Sequence, residues 1–197
     1  MKTAEVARKG YEERSKTKAE YKDDPEVLKE KVKVLAKLLR DSGNCVFYSG
    51  AGISTGAGVP DYASKNKPTK KLAGGYRAAE PTMAHHSATT LFNKGHIKHW
   101  LQQNHDGLAQ KAGMPNNLKH LNEIHGGWYD PANPVVKMDG SLKKENFAKF
   151  NEWVEKTDFV IAVGSSMVGM ASDGIVEQAI SNKGFANLGQ GVAIINN

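Results

Sequence analysis

The chain has a single cysteine, Cys45, among its 197 residues. One thiol cannot form an internal disulfide, and it cannot build a four-ligand zinc site without three histidine or carboxylate partners. Such scarcity is typical of a reducing compartment, so we expect a cytoplasmic or nuclear protein. Long apolar runs are missing too. The longest, such as 159–163, are far too short to cross a bilayer, so no transmembrane helix is expected. The first residues lack the apolar stretch of a secretory signal, so none is expected there.

The formal net charge is +6, and the excess of basic residues lies in the first 80 positions. Residues 1–40 carry twelve Lys or Arg against eight Asp or Glu, whereas residues 81–197 carry ten of each. A basic region can attract nucleic acid or an acidic partner, and a weak contact of this kind is one interpretation. Because the basic residues are interleaved with Glu and Asp, a solvated helix surface is the simpler one.

Hydrophobic residues make up 39% of the chain, which is enough to fill the core of one domain. We expect residues 1–22 to form a polar N-terminal arm and residues 23–197 to form a single domain. A helix is predicted after Asp24-Pro25, because a carboxylate and a proline are typical of a helix start. Its apolar face is predicted from residues at spacings of 4, 3 and 4, namely Leu28, Val32, Leu35 and Leu39.

Four short apolar runs downstream predict strands that alternate with helical segments. The strands are expected at 45–48, 97–101, 159–163 and 192–195, and the helices near 81–93, 147–154 and 175–180. This alternation predicts an α/β fold with a parallel sheet. Residues 105–145 show no lasting periodicity and are expected to be irregular.

Polar residues follow each of the four predicted strands. They are Gly50-Ala51-Gly52, Gln103-Asn104-His105-Asp106, Gly164-Ser165-Ser166 and Asn196. The carboxyl ends of parallel strands meet at one edge of a sheet, which is where ligands bind in such folds. Glycines after a strand also let the backbone approach a pyrophosphate, although a glycine pair alone is often only a tight turn. The four polar strand ends together predict a nucleotide site.

The segment 50–55, Gly-Ala-Gly-Ile-Ser-Thr, followed by Gly-Val-Pro-Asp-Tyr at 58–62, resembles the signature of the sirtuin family. Further sirtuin-like motifs follow in the family's order at 103–108, 124–126, 164–166 and 194–196. The resemblance covers roughly residues 23–197. Two segments, 24–26 and 80–85, look closest to the class IV branch.

Sirtuins are NAD-dependent protein-lysine deacylases with a Rossmann-like domain and a smaller zinc domain. The resemblance therefore implies a Rossmann-like parallel sheet with helices on both faces, and an acylated lysine of a protein or peptide as substrate. The acyl group would pass to ADP-ribose with release of nicotinamide, and no membrane partner is implied. By the same resemblance, remnants of the small domain would lie around 63–80 and 126–145.

The resemblance also assigns cofactor contacts residue by residue. The pyrophosphate would be held by Gly50, Ala51, Gly52 and Ser54, and the cofactor-binding loop would begin at Asp61 and Tyr62. The nicotinamide-side ribose would contact Gln103 and Asn104, and the nicotinamide carboxamide would contact Asp106. The phosphates and the adenosine ribose would be held by Gly164, Ser165 and Ser166, with Asn196 also on that ribose.

His125 is implied as the general base, with Asn104 as a second catalytic residue. In this family a ribose hydroxyl must lose a proton after the acyl oxygen has attacked the ribose. A neutral imidazole with an ordinary pKa near 6.5 suits that step, so activity is expected to fall below about pH 6–7. The other six histidines have no support from the motifs and are interpreted as structural or exposed.

Several positions depart from the sirtuin pattern. Family members usually carry two Cys-x-x-Cys pairs after the catalytic histidine, but here only eight residues, none of them cysteine, separate His125 from Pro134. We therefore expect no zinc and a reduced small domain. Ala63 replaces the usual arginine, which a nearby lysine cannot match in bidentate contact. The substrate-binding positions would be Val136, Met138 and Asp139, where the family's peptide-clamping loop is eroded.

Three functions remain open on the sequence. The first is an NAD-dependent protein deacylase with a minimal small domain. The second is an NAD glycohydrolase or ADP-ribosyltransferase, which the missing arginine and the eroded clamp favour. The third is a catalytically weak module that binds NAD or ADP-ribose, against which the retention of His125 and Asn104 argues.

The absence of a thiolate set predicts that the purified protein contains no stoichiometric zinc. Treatment with a chelator should leave its melting temperature unchanged, because no metal would contribute to folding. Elemental analysis checks the first point and thermal denaturation the second. One equivalent of zinc per chain would show that this expectation is wrong.

Overall fold

A computed structural model describes residues 22–61, 74–137, 139–167, 169–181 and 191–196. These residues contain one five-stranded sheet in which every pairing is parallel and the order is β3-β2-β1-β4-β5. The strands are β1 (Cys45–Ser49), β2 (His99–Gln102), β3 (Leu121–Glu123), β4 (Phe159–Val163) and β5 (Gly191–Ile195). The parallel α/β sheet expected from the sequence is confirmed.

Helices connect the strands in the described part of the chain. They are α1 (Pro25–Asp41), α2 (Gly52–Thr55), α3 (Met83–Asn93), α4 (Leu108–Lys111), α5 (Lys144–Lys156) and α6 (Gly174–Ser181). Two short 3-10 turns, Tyr76–Ala78 and Ala171–Asp173, complete the described elements. Among these helices, no segment is long and apolar enough to cross a membrane.

Helices cover both faces of the sheet, and successive side chains of each central strand alternate between them. In β1, Cys45 and Phe47 pack with α1 and α3 in one core cluster. Val46 and Tyr48 point to the opposite face, where they pack with α5 and α6. This double coverage explains why β1 and β4 are nearly continuous apolar runs rather than alternating ones.

Two strand predictions need correction. β2 runs over His99–Gln102 rather than 97–101, so it begins later and ends in a polar residue. β3 lies inside the region expected to be irregular, where Asn122 and Glu123 are both buried. A three-residue strand with two polar residues carries no apolar period, which is why sequence reasoning missed it. Residues 1–21 and 62–73 lie outside the described residues. They hold most of the predicted N-terminal arm and of the predicted cofactor-binding loop.

The apolar face predicted for α1 is only partly buried. Asp24 caps the helix by accepting a hydrogen bond from the Glu26 backbone nitrogen at 3.0 Å, as its sequence predicts. Leu39 is 7% exposed in the core, but Leu28 and Val32 are 49% and 51% exposed. The first two turns of α1 therefore extend past the described core, and the spacing of apolar residues alone could not show where the sheet stops.

This difference along α1 can be tested with two leucine truncations. Leu39→Ala should lower the free energy of unfolding by about 2–5 kcal/mol, because it leaves a cavity in the core. Leu28→Ala should cost less than about 1 kcal/mol, because the side chain is half exposed. Urea denaturation of both variants measures the difference. Similar losses would mean that the start of α1 is packed as tightly as its end.

Candidate functional site

Two loops at the carboxyl edge of the sheet touch through their main chains. The Gly52 nitrogen donates to the Gly164 oxygen at 2.8 Å, and the Gly50 nitrogen donates to the Val163 oxygen at 3.1 Å. A Cβ at residue 50 would lie 2.7 Å from the Gly164 oxygen, and one at residue 52 would lie 2.7 Å from the Gly164 Cα. Both glycines are therefore required by loop packing, whatever ligand lies over them.

Three predicted site residues form one buried hydrogen-bond chain beside these loops. The Asn104 amide donates to the Gly50 oxygen at 3.1 Å and to Ser54 Oγ at 3.0 Å. Ser54 Oγ donates to Asp106 Oδ2 at 2.6 Å, and Asp106 Oδ1 accepts from the Leu108 nitrogen at 2.9 Å. The ends of β1 and β2 are thus fixed to each other, and the Asn104 amide nitrogen is committed to protein contacts.

A second group joins the ends of β2, β4 and β5. Ser165 Oγ lies 3.5 Å from Gln103 Oε1, and the Asn196 amide donates to the Ser165 oxygen at 3.2 Å. The Gly164 nitrogen donates to the Ile195 oxygen at 3.1 Å. All four polar strand ends singled out in the sequence therefore lie along one edge of the sheet.

His125 follows β3 at the same edge and is half-buried. Its Nε2 atom is buried and has no hydrogen-bond partner within the described residues. Burial lowers the pKa of His125 to about 4, and the charge of His105 acts in the same direction. The imidazole is therefore neutral at pH 7, and one of its two ring nitrogens can accept a proton.

The backbone around His125 is tied down on both sides. The His105 ring donates from Nδ1 to the Gly126 oxygen at 2.7 Å, since a carbonyl can only accept. The Trp128 nitrogen donates to the His105 oxygen, and the Val136 nitrogen donates to the His125 oxygen, each at 2.9 Å. His105, which was interpreted from the sequence as structural or exposed, therefore positions the turn after His125.

A buried carboxylate anchors the eight-residue connection that follows His125. Glu123 accepts hydrogen bonds from the Tyr129 hydroxyl at 2.6 and 2.7 Å, from Gln110 at 2.7 Å and from Gln102 at 2.9 Å. Burial raises the pKa of Glu123, while these donors oppose the shift. Asn133 also donates to the Glu123 backbone oxygen at 3.0 Å. Glu123 was missed because its neighbours in the sequence carry no periodic signal.

The remaining predicted residues are placed as follows. Ala51, Asp61 and Ser166 are half-buried, whereas Gly52 and Asn196 are exposed. Val136 is half-buried beside His125, and Asp139 is exposed. Tyr62 and Met138 lie outside the described residues.

The described residues do not fit a zinc ion. They contain no group of three or more His, Cys, Asp or Glu side chains that could hold a metal. Cys45 is fully buried in β1, where burial raises the pKa of its thiol far above the ordinary value. That sulfur stays protonated in the core and is not available as a thiolate ligand.

Curated relatives of the chain are sirtuins, although no protein-family model matches it. It is 40% identical to the NAD-dependent protein deacetylase sirtuin-7 of Homo sapiens over 114 residues, which cover 54% of this chain and 28% of that protein. It is 36% identical over 117 residues to Sirt6 of Drosophila melanogaster, covering 54% of this chain and 36% of that protein. The matched residues therefore span only about a third of the length of these relatives. An NAD-dependent protein deacetylase of Clostridium tetani is 26% identical, with 77% of this chain and 84% of that protein covered.

Solved structures share the fold. A structure described as Sir2 with a p53 peptide and NAD+ superposes with a TM-score of 0.68 at 21% identity, covering 84% of this chain and 86% of that one. Sir2Tm bound to a propionylated peptide gives 0.67 at 22% identity, with the same coverage. The relatives support the sirtuin family for this chain, and the solved structures show its Rossmann-like fold.

The turn after His125 can be tested with a pair of glycine variants. Gly126 has φ +81°, and a Cβ there would lie 2.1 Å from the Pro134 oxygen. Gly95 has a similar φ of +77° but no atom within 4 Å of the added Cβ. Gly126→Ala should therefore lower the melting temperature clearly more than Gly95→Ala, which measures backbone strain alone. Equal shifts in thermal denaturation would show that the turn is not tightly packed.

Proposed function

We propose that this sirtuin-like chain is an NAD-dependent protein-lysine deacylase, which transfers the acyl group from lysine to ADP-ribose and releases nicotinamide. The observation that carries the proposal is a neutral His125 at the sheet edge that also holds Asn104, Asp106 and Ser165. Its Nε2 has no hydrogen-bond partner in the part of the chain that the structure describes. Curated relatives named NAD-dependent protein deacetylase support it.

The chemistry of the residues at this edge fits the cofactor. His125 Nε2 is a buried polar atom without a partner among the described residues, as expected of a group that meets a ligand hydroxyl. NAD, when bound, supplies a ribose carbon from which nicotinamide can leave. We propose that the main-chain turn at 50–52 and the loop at 164–166 hold its phosphates. Asn104 and Gln103 would meet the nicotinamide-side ribose, and Asp106 the carboxamide.

His125 would act by removing a proton from a ribose hydroxyl at Nε2. The neutral tautomer with its proton on Nδ1 leaves Nε2 free to accept. A pKa of about 4 keeps this form populated across physiological pH, so we now expect activity to persist below pH 6–7, where an imidazole with an ordinary pKa would lose it. The same low pKa makes His125 a weaker base than an exposed imidazole, so close approach of the hydroxyl matters more.

The proposal also covers the family branch, the peptide contacts, the small domain and the cellular compartment. We assign the chain to the class IV branch on the two segments that resemble it, 24–26 and 80–85. Val136, Met138 and Asp139 are proposed to meet the acylated peptide. Residues 63–80 and 126–145 are proposed as a zinc-free remnant of the small domain, within a protein of the cytoplasm or nucleus.

A second candidate is an NAD glycohydrolase or ADP-ribosyltransferase with the same pocket. Ala63 in place of arginine and the altered residues 138–140 favour it, because both changes affect how the cofactor and peptide are held. One assay separates the candidates: NAD consumption with and without an acylated peptide, with the products resolved. Peptide-dependent O-acyl-ADP-ribose supports the deacylase, and peptide-independent ADP-ribose supports the glycohydrolase. Binding without turnover would support a sensor.

His125→Ala should lower peptide-dependent turnover by roughly 10²-fold or more and leave NAD affinity nearly intact, because the base acts in the transition state. In the unchanged protein, activity should persist below pH 6.5 and fall as the pH approaches 4. The sign follows from the lowered pKa, since protonation that removes the base begins only near that value. Initial rates between pH 4 and 8 measure the loss of turnover and the pH dependence, and titration with NAD measures the affinity.

His120→Ala is the matched control. His120 precedes β3 at the opposite edge of the sheet, where its ring packs edge-on against Phe92. This substitution should change turnover little. If both variants lose activity alike, or if His125→Ala mainly abolishes NAD binding, the assignment of His125 as the base is wrong.

A further inference from the structure

A buried carboxylate, Asp173, lies directly behind the proposed cofactor site. It is 4% exposed and is held by hydrogen bonds from uncharged groups. Oδ2 accepts from the Gly169 and Met170 nitrogens at 2.8 and 2.7 Å. Oδ1 accepts from the Tyr48 hydroxyl at 2.5 Å, and Tyr48 is itself fully buried in β1. No residue of this group entered the sequence-based assignment of the site.

The same group surrounds the side-chain amide of Gln103. Gln103 Nε2 is hydrogen-bonded to the Tyr48 hydroxyl, to Ser172 Oγ at 3.1 Å and to Asp173 Oδ1 at 3.2 Å. Burial and the neighbouring Asp173 raise the pKa of Tyr48, so its hydroxyl stays protonated and donates to the carboxylate. Its oxygen is then left to accept from Gln103.

This arrangement decides which way the amide of Gln103 faces. A carboxylate can only accept hydrogen bonds, so the NH₂ group must point towards Asp173 and the carbonyl must point away. Gln103 Oε1 accordingly lies on the side of Ser165, 3.5 Å from its hydroxyl oxygen. The opposite orientation would place two acceptors against each other in a buried site, which is unfavourable.

We propose that Tyr48, Ser172 and Asp173 are positioning residues that lock the Gln103 amide with its carbonyl outward, so that Oε1 accepts a hydrogen bond from a hydroxyl of the nicotinamide-side ribose. The inference rests on the proposed function, because it takes NAD or ADP-ribose as the ligand. It follows that Gln103 presents a hydrogen-bond acceptor to the ligand and selects a ligand group that donates a hydrogen bond.

Asp173→Asn tests the lock with little change in shape. The carbonyl of the new side chain can still accept from the Gly169 and Met170 nitrogens, while its NH₂ faces Gln103. Gln103 should then turn its carbonyl inward and present NH₂ to the ribose. We expect ADP-ribose affinity to fall roughly 10-fold or more, because the acceptor that faces the ribose hydroxyl has become a donor. ADP, which lacks the second ribose, should bind with unchanged affinity.

Three further variants separate positioning from stability. Tyr48→Phe keeps the carboxylate that orients the amide, so its effect on ADP-ribose affinity should be smaller than that of Asp173→Asn. In a Gln103→Ala background, Asp173→Asn should cause no further loss. Asp158→Asn is the matched control, since Asp158, like Asp173, accepts from one side-chain hydroxyl and two backbone nitrogens, but at the opposite edge of the sheet. Its donors are Ser42 Oγ and the Gly43 and Asn44 nitrogens. This control variant should leave the affinity for both ligands unchanged.

Titration calorimetry with ADP-ribose and ADP gives the decisive comparison. Equal losses for both ligands in Asp173→Asn, or a full further loss in the Gln103→Ala background, would overturn the proposal. If the unchanged protein bound neither ligand, the proposed function would fail, but the lock would still be tested by NMR. The Gln103 side-chain NH₂ should be protected from solvent exchange in the unchanged protein and exposed in Asp173→Asn. Equal exchange in both would overturn the lock without reference to any ligand.

Discussion

The site depends on the contact between two glycine-containing turns, one after β1 and one after β4. Gly50 and Gly52 come so close to Gly164 that a single added Cβ would overlap the main chain of the other turn. Parallel pairing of β1 with β4 brings both strand ends to the same level, and the hydrogen bond from Gly52 to Gly164 then joins them. A larger residue at either position would separate the two loops that hold the polar side chains of the edge.

Two groups of hydrogen bonds near this contact hold the residues that follow β2. Asn104, Ser54 and Asp106 tie the end of β2 to the turn after β1. Tyr48, on the sheet face covered by α5 and α6, and Asp173 are hydrogen-bonded to each other and to Gln103. Neighbouring residues of one segment, Gln103 and Asn104, are thus held by separate groups of hydrogen bonds, which leaves little freedom in the chain between them. Buried polar networks of this kind are stable only when their members are satisfied, and these supply donors and acceptors in matching positions.

The turn at His125 is organised by hydrogen bonds from the segment that follows it and from the end of β2. Glu123 fastens the eight-residue connection through Tyr129 and Asn133, and His105 holds the turn from the neighbouring strand end. The cost of burying Glu123 is offset by several donors. A short connection can therefore hold the histidine in place by side-chain and main-chain hydrogen bonds among the described residues.

The amino-acid sequence by itself determined the α/β class, the strands β1 and β4 and the polar ends of the strands, because apolar runs and turn residues are local signals. It also carried motifs that resemble those of sirtuins, from which roles for Asn104 and His125 are proposed. Tertiary structure alone decided the burial of α1, the existence of β3 and the partners of Gln103. Leu28 and Leu39 share one helical period, and only the extent of the sheet beneath them decides which is buried. Likewise Tyr48 and Asp173 are 125 residues apart, and no local pattern can show that the fold brings a hydroxyl and a carboxylate together.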